Sequence, residues 1–270
     1  MNANDREGCM TKKTARGCAP IIAVLLLSTH VGVASDEIRV MTSGAFAAAH
    51  LELAPEFERA TGHHVVTEAT SMGTGGTGIM ARLERGEAID TVILADVDFE
   101  RLTAEGHIRA GSRVALARST IGMAVRRGSP KPDISSVEAL TRTLLDAKSI
   151  AYSAQVSGIY LSTELFQRLG IADRVLPKSR RIDGERVGAV VARGEAEIGF
   201  QQVSELLPIA GIDFVGPLPR EVQRVTVVYA GVGAASTNPA AAKSFIEFLA
   251  MPESSKIIRK TGLEPVAVEH

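Results

Sequence analysis

The sequence predicts an α/β protein of two lobes, each a mostly parallel sheet flanked by helices, with a ligand cleft between the lobes. Three observations predict it. Strand-like and helix-like segments alternate along nearly the whole chain, the punctuation of βαβ units. Two strand-like stretches, near 119–126 and 224–233, are placed to carry the chain out of one lobe and back. The 270 residues, 45% apolar and 23% charged, suffice for two lobes with cores of their own, and neither a repeat nor a low-complexity linker interrupts them. Lobe 1 is expected over 37–117 and 232–270, lobe 2 over 118–231.

The first 35 residues differ from the rest. Lys12, Lys13 and Arg16 precede the apolar run "APIIAVLLLS", and "VGVAS" follows with small residues suited to cleavage after Ala34 or Ser35. This is the order of a secretory signal peptide, and the run is too short to span a bilayer. Met10 is an alternative start. Cys9 and Cys18 both fall in this segment, so the exported chain is expected to carry no disulfide and no cysteine metal ligand. Removing 1–35 leaves 26 basic against 29 acidic side chains, a net charge of −3. Nothing in that balance offers a grip on nucleic acid or an anionic membrane. A periplasmic monomer is the expectation.

Beyond the signal, "EIRVMTS" reads as a strand and "AAAHLELAPEFERATG" as an amphipathic helix ending at Gly62, with Pro55 expected to kink or split it. "HHVVTEAT" is a strand, "IMARLERG" a helix, "DTVILA" a strand, and "DFERLTAEG" a short helix. The middle repeats the theme. "TIGMAVRRG" is a strand, "SSVEALTRTLLD" a helix with a serine start, and "SIAYS" a strand. "SGIYLSTELFQRLG" and "GERVGAVVARG" are helices, "EIGFQQV" a strand, and "RVTVVYAGVG" a long strand. Two helices close the chain, the first with Asn238 as N-cap and Pro239 at its first position.

"SMGTGGTG", residues 71–78, raises the chemical question. Gly73, Gly75 and Gly78 satisfy G-x-G-x-x-G, and Asp96 lies at the distance expected of a ribose-binding acid. Yet the glycines follow the second strand of the exported chain, threonines sit among them, and a dinucleotide would have to reach an exported protein. A P-loop fails for want of Gly-Lys-Ser/Thr. What survives is the physics: glycines let amides approach a ligand, Thr74 and Thr77 add hydroxyls, and a following helix start favours an anion. The loop is expected to be an anion cradle. The six histidines show no H-x-x-x-H spacing, and His63 and His64 point to opposite faces of a strand. No G-x-S-x-G is present, and Arg180–Arg181 reads as a solvated turn. No cofactor and no metal are expected.

"TGIMARLERGEAIDTVILAD", "RVALARSTIGMAVRRGSPK", "SGIYLSTELFQRLG" and "GERVGAVVARGEAEIGF", in that order, resemble the periplasmic molybdate-binding protein family, over roughly residues 37–265. The resemblance implies the two-lobed periplasmic binding-protein fold. It also implies an anion held by hydroxyls and amides from five segments: near Ser43, Gly44 and Ala45; near Thr77, with Thr74 and Gly78; at Ser157; at Val187; and at Gln202. Two departures stand out. The family usually has a tyrosine where Gln202 stands, with Gln201 beside it, and often an asparagine where Arg186 stands. A guanidinium suits a planar carboxylate, which an uncharged oxyanion cage does not require.

The departures fit another branch of the superfamily, the exported aconitate isomerases, which the chain also resembles. Two readings follow. The first is an isomerase moving a proton along the allylic system of a tricarboxylate, with Tyr160 and Asp96 as candidate catalytic groups and Glu205 and His50 left open. The alternative is a binding subunit that delivers an oxyanion or small carboxylate to an ABC transporter in the membrane.

Overall fold

The computed structural model of the protein describes residues 37–73 and 75–266. The expected signal peptide, both cysteines and Thr74 lie outside the described residues.

The elements run β1 (Glu37–Thr42), α1 (Gly44–Thr61), β2 (His64–Ala69), α2 (Ile79–Glu84), β3 (Thr91–Ala95), α3 (Asp96–Ala104), β4 (Val114–Ser119) and β5 (Ile121–Arg126). Then come α4 (Val137–Asp146), β6 (Ile150–Ser153), α5 (Val156–Tyr160), α6 (Phe166–Arg168), α7 (Ala172–Val175), β7 (Ser179–Ile182), α8 (Val187–Ala192), β8 (Ile198–Gln202) and α9 (Val203–Leu206). The chain continues through β9 (Ile212–Pro217), β10 (Thr226–Val232), α10 (Pro239–Ala250), α11 (Ser255–Lys260) and β11 (Glu264–Pro265). A π-helical turn, Leu161–Leu165, joins α5 to α6.

Two sheets organise these elements, in the orders β11-β4-β10-β3-β1-β2 and β7-β6-β8-β5-β9. Both are mixed. Strands joined through helices pair in parallel, β1 with β2 and β3, and β6 with β7 and β8. Strands beside the crossings, β10 and β5, pair antiparallel with their neighbours. The outward crossing is abrupt: only Thr120 separates β4 of the first sheet from β5 of the second. The return runs through 218–225, where Gln223 imitates a strand partner. Its Oε1 accepts from Ile121 N at 2.9 Å and its Nε2 donates to Ile121 O at 2.9 Å.

Each sheet is buried on both faces because its strands alternate between two cores. Ile38, Val40 and Ile93 pack with Phe46, Phe57 and Phe245 of α1 and α10. Met41, Val92 and Leu94 turn to the other face, against Ile79 and Phe99. In the second sheet Met123, Ile150 and Phe200 meet Leu140 and Phe166, while Ala124 and Ala151 meet Val187 and Val191.

Several expectations are revised. Helix α1 runs unbroken through Pro55, because Pro55 and Leu51, the residue four before it, lie on the exposed face. The carbonyl left without an amide there can be hydrated. Asn238 stands at the N-cap of α10 but its side chain donates instead to Glu37 O at 2.9 Å. The capping falls to Asp90, whose Oδ1 accepts from Ser236 Oγ, Thr237 N and Asn238 N. Arg180 and Arg181 belong to edge strand β7, where Arg180 pairs with Glu195 at 2.9 Å. Charges on an exposed edge keep it from pairing with another chain.

Candidate functional site

Six strands end toward one hollow of about 260 Å³. Its lining comes from residues at or just after the ends of β1, β2, β3, β6, β7 and β8, with Thr226 at the start of β10, and so from both sheets. Loops at the carboxyl ends of parallel strands are where α/β folds place ligands.

The first wall is the start of α1. Ser43 is its N-cap residue, yet the side chain makes no capping bond. Its Oγ is buried without a hydrogen-bond partner among the described residues. The helix behind it has 18 residues, and its first turn holds no acidic side chain. Amides at such a terminus carry partial positive charge with no partner inside the helix. Thr70, Ser71, Met72 and Gly73 continue this wall.

The second wall is the start of α5 with Ser153 and Ser157. Ser153 Oγ accepts from Gln155 N at 3.1 Å. Gly158 permits the close approach, since a Cβ there would collide with the Ser153 backbone.

The floor is charged. Arg186, at the N-cap of α8, donates through Nη1 to Glu205 O at 3.5 Å. No ion pair joins it to another of the described residues, and Glu185 is bound instead by both Nη atoms of Arg193 at 2.9 and 3.0 Å. Glu205, on α9, lies with its carboxyl against Gly44. Burial pushes that carboxyl up to about 7, against the opposing pull of Arg186 and a hydrogen bond from Gln201. Asp98 on α3 also lines the hollow, and burial raises its carboxyl above the usual range, with Arg101 pulling the other way.

Of the residues expected at the site, Ser43, Gly44, Ala45, Ser157, Arg186 and Gln202 line the hollow. Gln202 is committed elsewhere, however. Its Oε1 accepts from Ser119 Oγ at 2.8 Å and its Nε2 donates to Thr226 Oγ1 at 3.3 Å. It therefore clasps β4 to β10 beside the crossing. Val187 is fully buried, and its amide already donates to Gln201 Oε1 at 2.9 Å.

The glycine loop reaches the hollow with its first half and not with Thr77 or Gly78. Gly78 N donates to Gly75 O and Ile79 N to Met72 O, so the loop closes on itself and spends amides at the start of α2. Thr77 is exposed and, like Gly78, does not line the hollow. Among the loop's described residues, the first three, Ser71, Met72 and Gly73, reach the hollow, together with Thr70 before them.

Both proposed catalytic groups lie outside the lining. Tyr160 is buried in the second sheet's core, and its hydroxyl donates to Val222 O at 2.8 Å. Burial raises its phenol further from neutrality. Asp96 opens α3 and accepts from Val97 N at 2.9 Å, an end-of-helix role. His50 sits inside α1, bonded to Thr67 Oγ1 at 2.8 Å and edge-on to Phe245, and burial lowers it to about 4. Glu205 remains of the four, and Asp98, Thr70 and Ser153 are additions that no motif marks.

A family description, bacterial extracellular solute-binding protein, matches residues 38–264. The chain belongs to that family. Among its relatives, this solute-binding protein is 42% identical over 250 residues to an aconitate isomerase of Pseudomonas sp, covering 92% of this chain and 95% of the relative. It is 25% identical over 236 residues to the molybdate-binding protein ModA of Azotobacter vinelandii, covering 84% and 89% of the two chains. The solved structure of the Azotobacter vinelandii periplasmic molybdate-binding protein superposes with a TM-score of 0.66 at 23% identity, over 86% of this chain and all of that one. The two-lobed architecture is thus that of the solute-binding proteins.

Proposed function

We propose that this solute-binding fold works as an enzyme, interconverting cis- and trans-aconitate in the periplasm. One observation carries the reading: a carboxyl poised near neutrality, Glu205, shares the hollow with Arg186 and the start of α1. A cage that only holds an oxyanion has no use for a proton-exchanging group. The 42% identity to an aconitate isomerase supports the same conclusion.

The chemistry needs one base and a place for negative charge. Ionised Glu205 takes a proton from the methylene carbon of aconitate, breaking that C–H bond. The electron pair spreads over the three-carbon allylic system and into the attached carboxylates. Arg186, the α1 amides and the Ser43 hydroxyl hold those carboxylates where charge develops. Glu205 then returns the proton to the carbon at the far end, forming a new C–H bond as the double bond moves over. The geometry of the product is set by the conformation about the former single bond when the proton leaves. A base whose proton affinity matches the working pH serves both steps.

A second reading has support in the molybdate-binding relatives and in the uncharged donors of the α1 wall: a transporter subunit that binds without turnover. Proton NMR separates the two. Catalytic amounts of protein given cis-aconitate should yield the trans isomer, and Glu205→Gln should slow this by about 10²-fold or more. Arg186→Ala should weaken tricarboxylate binding by at least about tenfold and oxyanion binding little. Absence of turnover, together with thermal stabilisation by molybdate or tungstate, would establish the transporter reading instead.

A further inference from the structure

We propose that Gly44 is a positioning residue: by lacking a side chain it seats the Glu205 carboxyl against the first turn of α1, and so fixes where the proton is taken up and returned. The inference rests on reading Glu205 as the proton carrier.

Nothing in the backbone asks for glycine at this position. Gly44 is the first residue of a helix, and its φ is not in the left-handed region. Alanine is the better helix former there. The reason for glycine is space. A Cβ built on Gly44 would overlap Glu205 Oε1, and its three nearest neighbours are all atoms of the Glu205 side chain. The carboxyl thus lies on the bare Cα of a residue from the other sheet's lobe.

The surroundings hold Glu205 in that place. Ser204 Oγ, the side chain before it, donates to Ala45 O at 2.7 Å in a buried bond, tying α9 to α1. Arg186 reaches the Glu205 carbonyl from α8. The other charged side chains lining the hollow are Asp98 on α3 and Asp183 and Glu185 before α8. His50 of α1 is turned to Thr67, outside the lining. A methyl at 44 would meet the tip of a flexible side chain rather than backbone, so Gly44→Ala should fold while pushing the carboxyl off its seat. The amide of residue 44 survives the change, and with it the anion-holding wall.

The test compares wild type, Gly44→Ala, Ser204→Ala and Glu205→Gln from about pH 5 to about pH 9, by cis-to-trans turnover and by carbon-13 NMR of the Glu205 carboxyl. Gly44→Ala should lower kcat by about tenfold to a hundredfold and leave KM within about threefold, since misplacing a reacting group by an ångström has effects of this size. Its carboxyl should titrate at least about one pH unit lower, as the group moves toward solvent. The acid limb of kcat/KM should follow. Ser204→Ala should shift both readouts the same way by less. An unmoved carboxyl titration in Gly44→Ala would overturn the inference, whatever the activity. Absent turnover in wild type, or full activity in Glu205→Gln, would overturn the isomerase reading instead, and the NMR titration would still decide whether Gly44 seats the carboxyl.

Discussion

Replacing Glu205 with glutamine should make the folded protein more stable at alkaline pH, with the gain shrinking toward acid. Glutamine keeps the shape of the side chain but cannot ionise. In wild type, burial moves the carboxyl from its ordinary 4.5 to about 7. Between those values the unfolded chain has shed this proton while the folded chain retains it. The contribution of Glu205 to stability therefore falls as pH rises through the window, since a contribution rises only where the unfolded state binds more protons. The displacement of 2.5, from 4.5 to about 7, corresponds in full to about 3 kcal/mol at roughly 1.4 kcal/mol per pH unit. The opposing attraction of Arg186 is already contained in that value. Between about pH 5 and about pH 8, the stability difference between the variant and wild type should grow by about 2–3 kcal/mol. Urea unfolding followed by far-ultraviolet circular dichroism is the suitable assay, as the chain has no tryptophan. An equal difference at both pH values would show that the fold does not raise the Glu205 carboxyl, and the assignment of its role would fall with it.

Other outcomes follow from the same geometry. Ser43→Ala removes a buried hydroxyl with no partner among the described residues, so it should leave urea stability unchanged or raise it by up to about 1 kcal/mol, while KM for aconitate rises several-fold. Tyr160→Phe should lower stability by about 1 kcal/mol through loss of the bond to Val222 O and leave kcat unchanged, which steady-state kinetics would check. Gln202→Ala strands the hydroxyls of Ser119 and Thr226 and should lower stability by about 2–3 kcal/mol in the same urea assay. His50, lowered to about 4, resists the proton that the unfolded chain accepts near 6.5. The stability of wild type relative to His50→Gln should therefore drop as pH falls from about 6.5 to about 4, opposite in sign to the Glu205 contribution over that range, and acid melts of the two chains check it.

The strands and helices around the hollow were readable because burial writes itself into pattern. Ile38 and Val40 alternate with Arg39 and Met41, and Ile93 with Val92 and Leu94, as two-faced strands require, and Ser136 caps α4 through Ala139 N at 3.1 Å as its serine start suggests. Strand β7 was hidden by its two arginines and β9 by its Gly–Pro ending, both tolerable only at a sheet edge. At the site, the phrase that looked most chemical supplies Ser71, Met72 and Gly73 to the lining, while Thr77 and Gly78 lie outside it. Gly73 and Gly75 do occupy left-handed backbone, at φ of 67° and 54°, but they serve a loop that bonds to itself. Ser43 and Arg186 were legible because each stands at the start of a helix after a strand. Glu205 was visible only as one glutamate among many. What distinguishes it is the contact with Gly44, far away in the chain, and no local pattern encodes a meeting of that kind.

The single-residue passage from β4 to β5 also dictates an order of assembly. Every strand of the second sheet falls within one uninterrupted span, from Ile121 to Pro217. The first sheet has no such independence, for β4 cannot find its neighbours until β10 and β11 have been synthesised. A nascent chain halted just past Pro217 would hold all the strands of its inserted half and an unfinished outer half, with β4 lacking both flanking partners. Contacts spanning so much sequence are slow to form, so closing the outer sheet is expected to be the late, rate-setting event of maturation.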